Sequence, residues 1–158
     1  MTGEVSRDSI IPAFVVALRA AVAPLLPSVT VDLAYTGSPY PGDYLWIHCE
    51  DPYLPGPAPG STSSQVWAGA ARATGRQESG DITCAIESWN GEGDVATAMA
   101  GAYDILAPVA TWLRAAEWSA VTPGLLHAAV TSQRLDLGLS GTDARALLVF
   151  VIHFEARI

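Results

Sequence analysis

The stretch Arg145-Ala146-Leu147-Leu148-Val149-Phe150-Val151-Ile152-His153-Phe154-Glu155-Ala156 decides the fold. Side chains of a strand alternate between two faces, and here both sets are apolar from Leu147 to Phe154. Such a strand is covered on both sides. Either it is central between two layers, or the domain covers one side and a subunit contact covers the other. This feature points to an oligomer.

Working outward, Leu125 to Leu137 is a weakly patterned strand joined to the last one by a turn through Gly138, Ser140 and Gly141. Before it, Val95, Met99, Ala102, Ile105, Leu106, Val109 and Leu113 form the stripe of a helix over Asp94 to Ala116. Asp94 is its cap, and Pro108 kinks or divides it. Glu78 to Trp89 is a strand in which Ile82, Cys84 and Ile86 alternate with Thr83, Ala85 and Glu87, and Asn90-Gly91 ends it. Gln65 to Gly75 holds a strand beginning at Trp67. Tyr44 to Glu50 is another, with Leu45, Ile47 and Cys49 on one face and Tyr44, Trp46, His48 and Glu50 on the other. Val29 to Tyr35, rich in β-branched residues, is the first strand. Ahead of it, Ile11, Phe14, Val15, Leu18, Val22 and Leu25 recur at helical spacing, with Asp8 or Ser9 as cap, Pro12 in the first turn, and Pro24 and Pro27 as terminators. The order α-β-β-β-β-α-β-β implies an α+β fold, a mixed or antiparallel sheet of about five to six strands packed by two main helices. Residues 1–158 are expected to form one domain, with a flexible Pro/Gly-rich loop at 51–64.

The chain has 158 residues, 50% of them hydrophobic and 15% charged, with a formal net charge of −8. That is too apolar for intrinsic disorder. Eight Arg, no Lys and an acidic balance argue against binding nucleic acid by neutralising phosphates. Cys49 and Cys84 are too few for a disulfide framework; both fall on inward faces of strands that can be neighbours, which leaves oxidation open, but they read as reduced core thiols. Nothing near the start has the shape of a signal peptide. The run Ile10 to Leu26 is interrupted by Pro12, Arg19 and Pro24, which makes a poor membrane span. A soluble, intracellular protein without a membrane partner is expected.

Chemistry-bearing motifs are absent. There is no GxxxxGK[ST], HExxH, CxxC or GxSxG, and Gly91-Glu92-Gly93 places a carboxylate where an anion would bind. His48, Cys49, Glu50 and Asp51 include metal-ligating types, but on a strand Cys49 points away from His48 and Glu50. His127 and His153 have no nucleophile in their local context, and His153 shares a strand face with Val149 and Val151. No catalytic residue, metal ligand or cofactor is expected. A small metal-dependent hydrolase or ligand-binding domain using His48, Glu50 and Asp51 stands as an alternative of another class.

Several segments together resemble the tail terminator proteins of long-tailed phages. Gly42-Asp43-Tyr44-Leu45-Trp46-Ile47 resembles that family's second strand. Trp67-Ala68-Gly69 then leads to Arg72, and Glu78-Ser79-Gly80-Asp81-Ile82-Thr83-Cys84-Ala85-Ile86 with Ser88-Trp89-Asn90-Gly91 resembles its next strand. An Ala-rich helix follows, and an apolar strand ends in Ala156-Arg157-Ile158. The resemblance implies a small α+β domain that forms a ring, usually of six copies, at the end of the tail tube. It implies that this ring stops tube growth, receives the head-completion proteins and lets duplex DNA pass through its lumen. No catalysis or cofactor is implied, and the location is the virion, with assembly in the host cytoplasm. Neck adaptor and stopper proteins share this size and texture and remain the alternative.

A closed ring needs two different complementary patches on each copy. Phe150, Ile152 and Phe154 on the last strand are candidates for one, and Tyr44, Trp46 and Trp67 for the other; all can equally be internal core. Negative charge along a lumen would repel phosphates, and Asp51, Glu78 and Glu92, near expected loops, are candidate lumen acids. The same charge would also serve solubility alone.

Overall fold

The computed structural model describes residues 8–34, 40–54, 59–67 and 75–158. The elements are α1 (Ile11–Val22), β1 (Thr30–Leu33), β2 (Tyr44–Ile47), β3 (Ser61–Trp67), β4 (Arg76–Asn90), α2 (Val95–Ala115), α3 (Trp118–Val121), β5 (Leu125–Ser140) and β6 (Asp143–Arg157), with a 3-10 turn at Ala23–Leu25 after α1. The α+β class and the expected order are present. The single-turn α3 is an addition.

The described strands form one six-stranded mixed sheet in the order β1-β2-β4-β6-β5. β4 and β6 are its long centre, paired antiparallel from Gln77↔Arg157 to Asn90↔Ala144. β2 and β3 share the opposite edge of β4 end to end, β2 against Cys84 to Glu87 and β3 against Arg76 to Ile82. β1 lies parallel to β2, and β5 folds back on β6 as a hairpin. At Gly80 the carbonyl of Thr62 occupies the space a Cβ would need, so a side chain there would push β3 off β4.

α1 and α2 cover one face. Beneath them lie Leu45 and Ile47 of β2, Ile82, Cys84 and Ile86 of β4, and Leu148, Phe150, Ile152 and Phe154 of β6. Phe14 of α1 meets Phe154 edge to face at 6.1 Å. α2 buries Ala98, Ala102, Ile105, Leu106, Val109 and Leu113, while Met99 of the expected stripe is part-exposed. The space for a Cβ on Gly101 is filled by Ser88 Oγ, which lets α2 sit close on β4. α2 is one assigned helix through Pro108, not two. In α1 the stripe is Phe14, Val15, Leu18 and Val22, and Leu25 emerges into solvent as the chain tightens into the 3-10 turn.

The odd-numbered face of β6 carries a smaller cluster: Trp46, Cys49, Ala85 and Val149, packed with Tyr44, Tyr53 and Leu147. Tyr53 reaches across and donates its hydroxyl to the Leu147 carbonyl at 2.7 Å. The second apolar face of β6 is therefore covered, over Leu147 and Val149, by the chain's own 49–54 segment. No subunit contact is needed there.

Four expectations are corrected. Cys49 does not share a face with Leu45 and Ile47. His48 has φ +59°, which ends β2 and turns Cys49 into the opposite cluster. The two thiols thus lie in clusters on opposite sheet faces, and both are free. The strand expected to begin at Trp67 ends there; it starts at Ser61, inside the stretch 51–64 read as a loop. β-Pairing with β4 overrides the low apolar content of Ser61 to Ser64. Of the rest of those two stretches, 55–58 and 68–74 lie outside the described residues. Last, β5 continues through Gly138 to Ser140, and the turn is Gly141-Thr142, with Gly141 at φ +65°.

Candidate assembly surface

Phe150, Ile152 and Phe154 are 1%, 0% and 0% exposed. They face the helices and belong to the core, so the first candidate patch is not a surface. The strand's double apolarity is met by the helices over Phe150, Ile152 and Phe154 and by the smaller cluster over Leu147 and Val149. Trp46 is also buried; Tyr44 stacks on it at 5.2 Å with rings 6° apart, and donates its hydroxyl to the Tyr40 carbonyl. Of the six aromatic and aliphatic candidates, only Trp67 is presented to solvent, 70% exposed beside the exposed Val66 at the end of β3. The Arg76 guanidinium lies 5.7 Å from its ring.

The candidate lumen acids do not converge either. Glu78 is 1% exposed. Its carboxyl oxygens accept from the Ser9 hydroxyl at 2.6 Å and from the Ile10 backbone N–H at 2.7 Å, just where α1 begins. A helix start exposes N–H donors and favours an acceptor of this kind, here supplied from 68 residues away in sequence. Ser9 adds its own hydroxyl as acceptor for the Ile11 N–H. Glu78 is thus a structural clamp, which its place in a strand pattern could not reveal. Asp51 is half-buried and accepts the Tyr53 N–H at 2.9 Å, closing the turn that positions Tyr53. Glu92 is exposed in the β4–α2 turn. Glu78 and Glu92 stand at opposite ends of β4.

The helix-free face carries a charged network that sequence reading missed. Glu87, fully buried, pairs with Arg145 and accepts the Trp89 indole N–H at 3.2 Å. Arg145 also lies 5.6 Å from the Trp89 ring. Nearby, the Arg134 guanidinium stacks on Tyr53 at 4.0 Å. Burial, with the charge of Asp136 adding to it, pushes the Tyr53 phenol up to about 12. Glu87 and Leu147, and Trp89 and Arg145, are register partners on adjacent strands, so the signal existed only in the pairing of β4 with β6.

For catalysis the arrangement offers little. His48 Nε2 meets Ser61 Oγ at 2.9 Å, and no carboxylate among the described residues completes that pair. Glu50 is exposed and Asp51 is held in its turn. His153 pairs with Asp81 at 2.9 Å in the open, and His127 stands edge-on to Trp118. Both thiols are driven up by burial, Cys49 to about 12 and Cys84 further, which leaves them unreactive. Among the described residues no three His, Cys, Asp or Glu are placed to hold a metal. No described helix is long and apolar enough to cross a membrane.

Among the described residues, β1, β3 and β5 each pair with another strand along one edge only.

No family model matches the chain, and no curated protein matches it. Among solved structures the chain is similar to one described as "Virion of native gene transfer agent (GTA) particle", with a TM-score of 0.51 and 17% identity, over 95% of this chain and 100% of that one. At that identity the likeness is one of fold.

Proposed function

We propose that this chain is a structural protein of a phage-type virion: a tail terminator, working as a ring of copies at the end of the tail tube, where it stops polymerisation and receives the head-completion proteins. The observation that carries this reading is the fold likeness to a virion chain along nearly the full length of both. The ordered run of segments that resembles the tail terminators, from Gly42-Asp43-Tyr44-Leu45-Trp46-Ile47 to Ala156-Arg157-Ile158, supports the finer assignment.

In this reading the chain acts as one domain, and its partners are further copies of itself; the tail tube protein and the neck proteins bind the two ends of the ring. Duplex DNA passes the lumen without specific binding, repelled by a net charge of −8 on every copy. Of the acids nominated from sequence, Glu92 and Asp51 remain available for the lumen; Glu78 does not.

Deleting the gene in the producing strain and imaging the particles tests the reading. Tails of uncontrolled length without attached heads are the expected result. Heads that leak DNA beside tails of normal length would place the chain in the neck instead, and normal particles would remove it from the virion altogether.

A further inference from the structure

β5 is an edge strand, and its two halves differ. The first half is disrupted by register shifts at Leu125/His127 and Val130/Ser132 and is backed by Trp118 of α3 against His127. Irregularities of this kind are how native edges avoid pairing. From Ser132 onward the register with β6 is unbroken to Ser140, with no proline and no further bulge. From Ser132 to Leu139 every residue except the half-buried Leu135 is exposed, Leu137 by 40% and Leu139 by 67%. A regular, accessible edge with apolar side chains is a template for another strand.

The sequence of that edge is complementary to itself. Arg134 and Asp136 are register partners of Val149 and Leu147 and so share the helix-free face; Gln133, Leu135 and Leu137, opposite Phe150, Leu148 and Ala146, share the other. Laid antiparallel on a second copy about Leu135, Arg134 of one copy stands opposite Asp136 of the other, and this happens twice. Leu135 meets Leu135, Gln133 meets Leu137, and Ser132 meets Gly138. Arg134 is held over the sheet by Tyr53, yet a stacked guanidinium keeps donors free at its edge. The alternative register about Leu137 would set Asp136 against Gly138 and Arg134 against Ser140, leaving both charges without a counter-charge.

We propose that two copies of this chain pair through the β5 edge, Ser132 to Gly138, antiparallel about Leu135, so that their sheets become one. The contact is isologous, so it is distinct from the head-to-tail contacts of the proposed ring, and it does not rest on the virion reading.

The test uses the full chain in analytical ultracentrifugation and native mass spectrometry, with Arg134→Glu and Asp136→Arg. The wild type is expected to dimerise, and each variant alone to dissociate at least about tenfold more readily, because each sets two like-charge pairs across the strands. Mixing the two variants restores two opposite-charge pairs, so a heterodimer forms where neither homodimer does. A monomeric wild type, a dimer indifferent to both reversals, or folded variants that fail to associate on mixing would overturn the proposal. Should either variant fail to fold, hydrogen exchange of the wild type decides. Protection of the amides from Ser132 to Gly138 that grows with protein concentration supports the pairing, and concentration-independent exchange there refutes it.

Discussion

Glu78 shows how much of this fold hangs on single polar contacts between distant segments. Its carboxyl holds the first N–H and hydroxyl of α1 against β4. Glu78→Ala is expected to cost about 2 kcal/mol, since it leaves the Ile10 donor buried without an acceptor, and Glu78→Gln, which keeps a carbonyl oxygen, is expected to cost less. Denaturant titration of the two variants checks the order; equal loss would deny the clamp. Tyr53 plays a similar part on the other face. Removing its hydroxyl in Tyr53→Phe forfeits the bond to the Leu147 carbonyl, about 1 kcal/mol. Its pH signature has a definite sign. Burial raises the folded phenol from 10.0 to about 12, so the unfolded chain ionises first; the stabilisation is complete below pH 10 and is lost as pH rises towards 12. Cys49, raised from 9.0 to about 12, adds a loss of the same sign from pH 9 upward. Stability measured by urea midpoint should fall across this range in the wild type and fall less above pH 10 in Tyr53→Phe. Parallel curves would contradict the burial of that ring.

At the scale of elements, β4 and β6 carry the architecture, and they were the most legible parts of the sequence. Ile82, Cys84 and Ile86 alternate cleanly, and the unbroken apolar run of β6 announced two covered faces. Which cover lay on which face was not legible. Phe150, Ile152 and Phe154 sit under the helices, and Val149 sits under Trp46 and Tyr53. The place of Cys49 in that second cluster depends on one backbone angle at His48, where positive φ in a non-glycine residue breaks the alternation on which strand reading relies. β3 was obscured for a different reason. Its serines and threonine have no apolar pattern, and pairing with β4 holds them in place. The helices were read well because their stripes are long, and Asp94 caps α2 as expected, accepting from the N–H groups of Ala96 and Thr97. Val149→Asp would place a charge among Trp46, Cys49 and Ala85, with an expected loss of about 4 kcal/mol. Thermal unfolding near that of the wild type would show that the second cluster is not closed. Gly80→Ala, by contrast, is expected to loosen β3 alone, seen as faster amide exchange over Ser61 to Trp67 with β6 unchanged.

For the whole molecule, the described sheet ends in β1 and β5 and carries helices on one side and a largely helix-free face on the other. Of the nine residues nominated from sequence, five are internal: the four most apolar on β2 and β6 are core, and Glu78 is a clamp. Interfaces are surfaces between molecules, and one chain's hydrophobic pattern reports first on its own core. The features that do face outward, Trp67 at the end of β3 and the Arg134-Leu135-Asp136-Leu137 edge of β5, have patterns too short to stand out before the sheet order is known. The proposal that this chain works by assembly at the end of a tail is decided by a cryo-electron microscopy reconstruction of the particle from the producing strain. A closed ring of this chain at the head-proximal end of the tail tube is expected; a particle complete in head, neck and tail that contains no copy of it would refute the proposal.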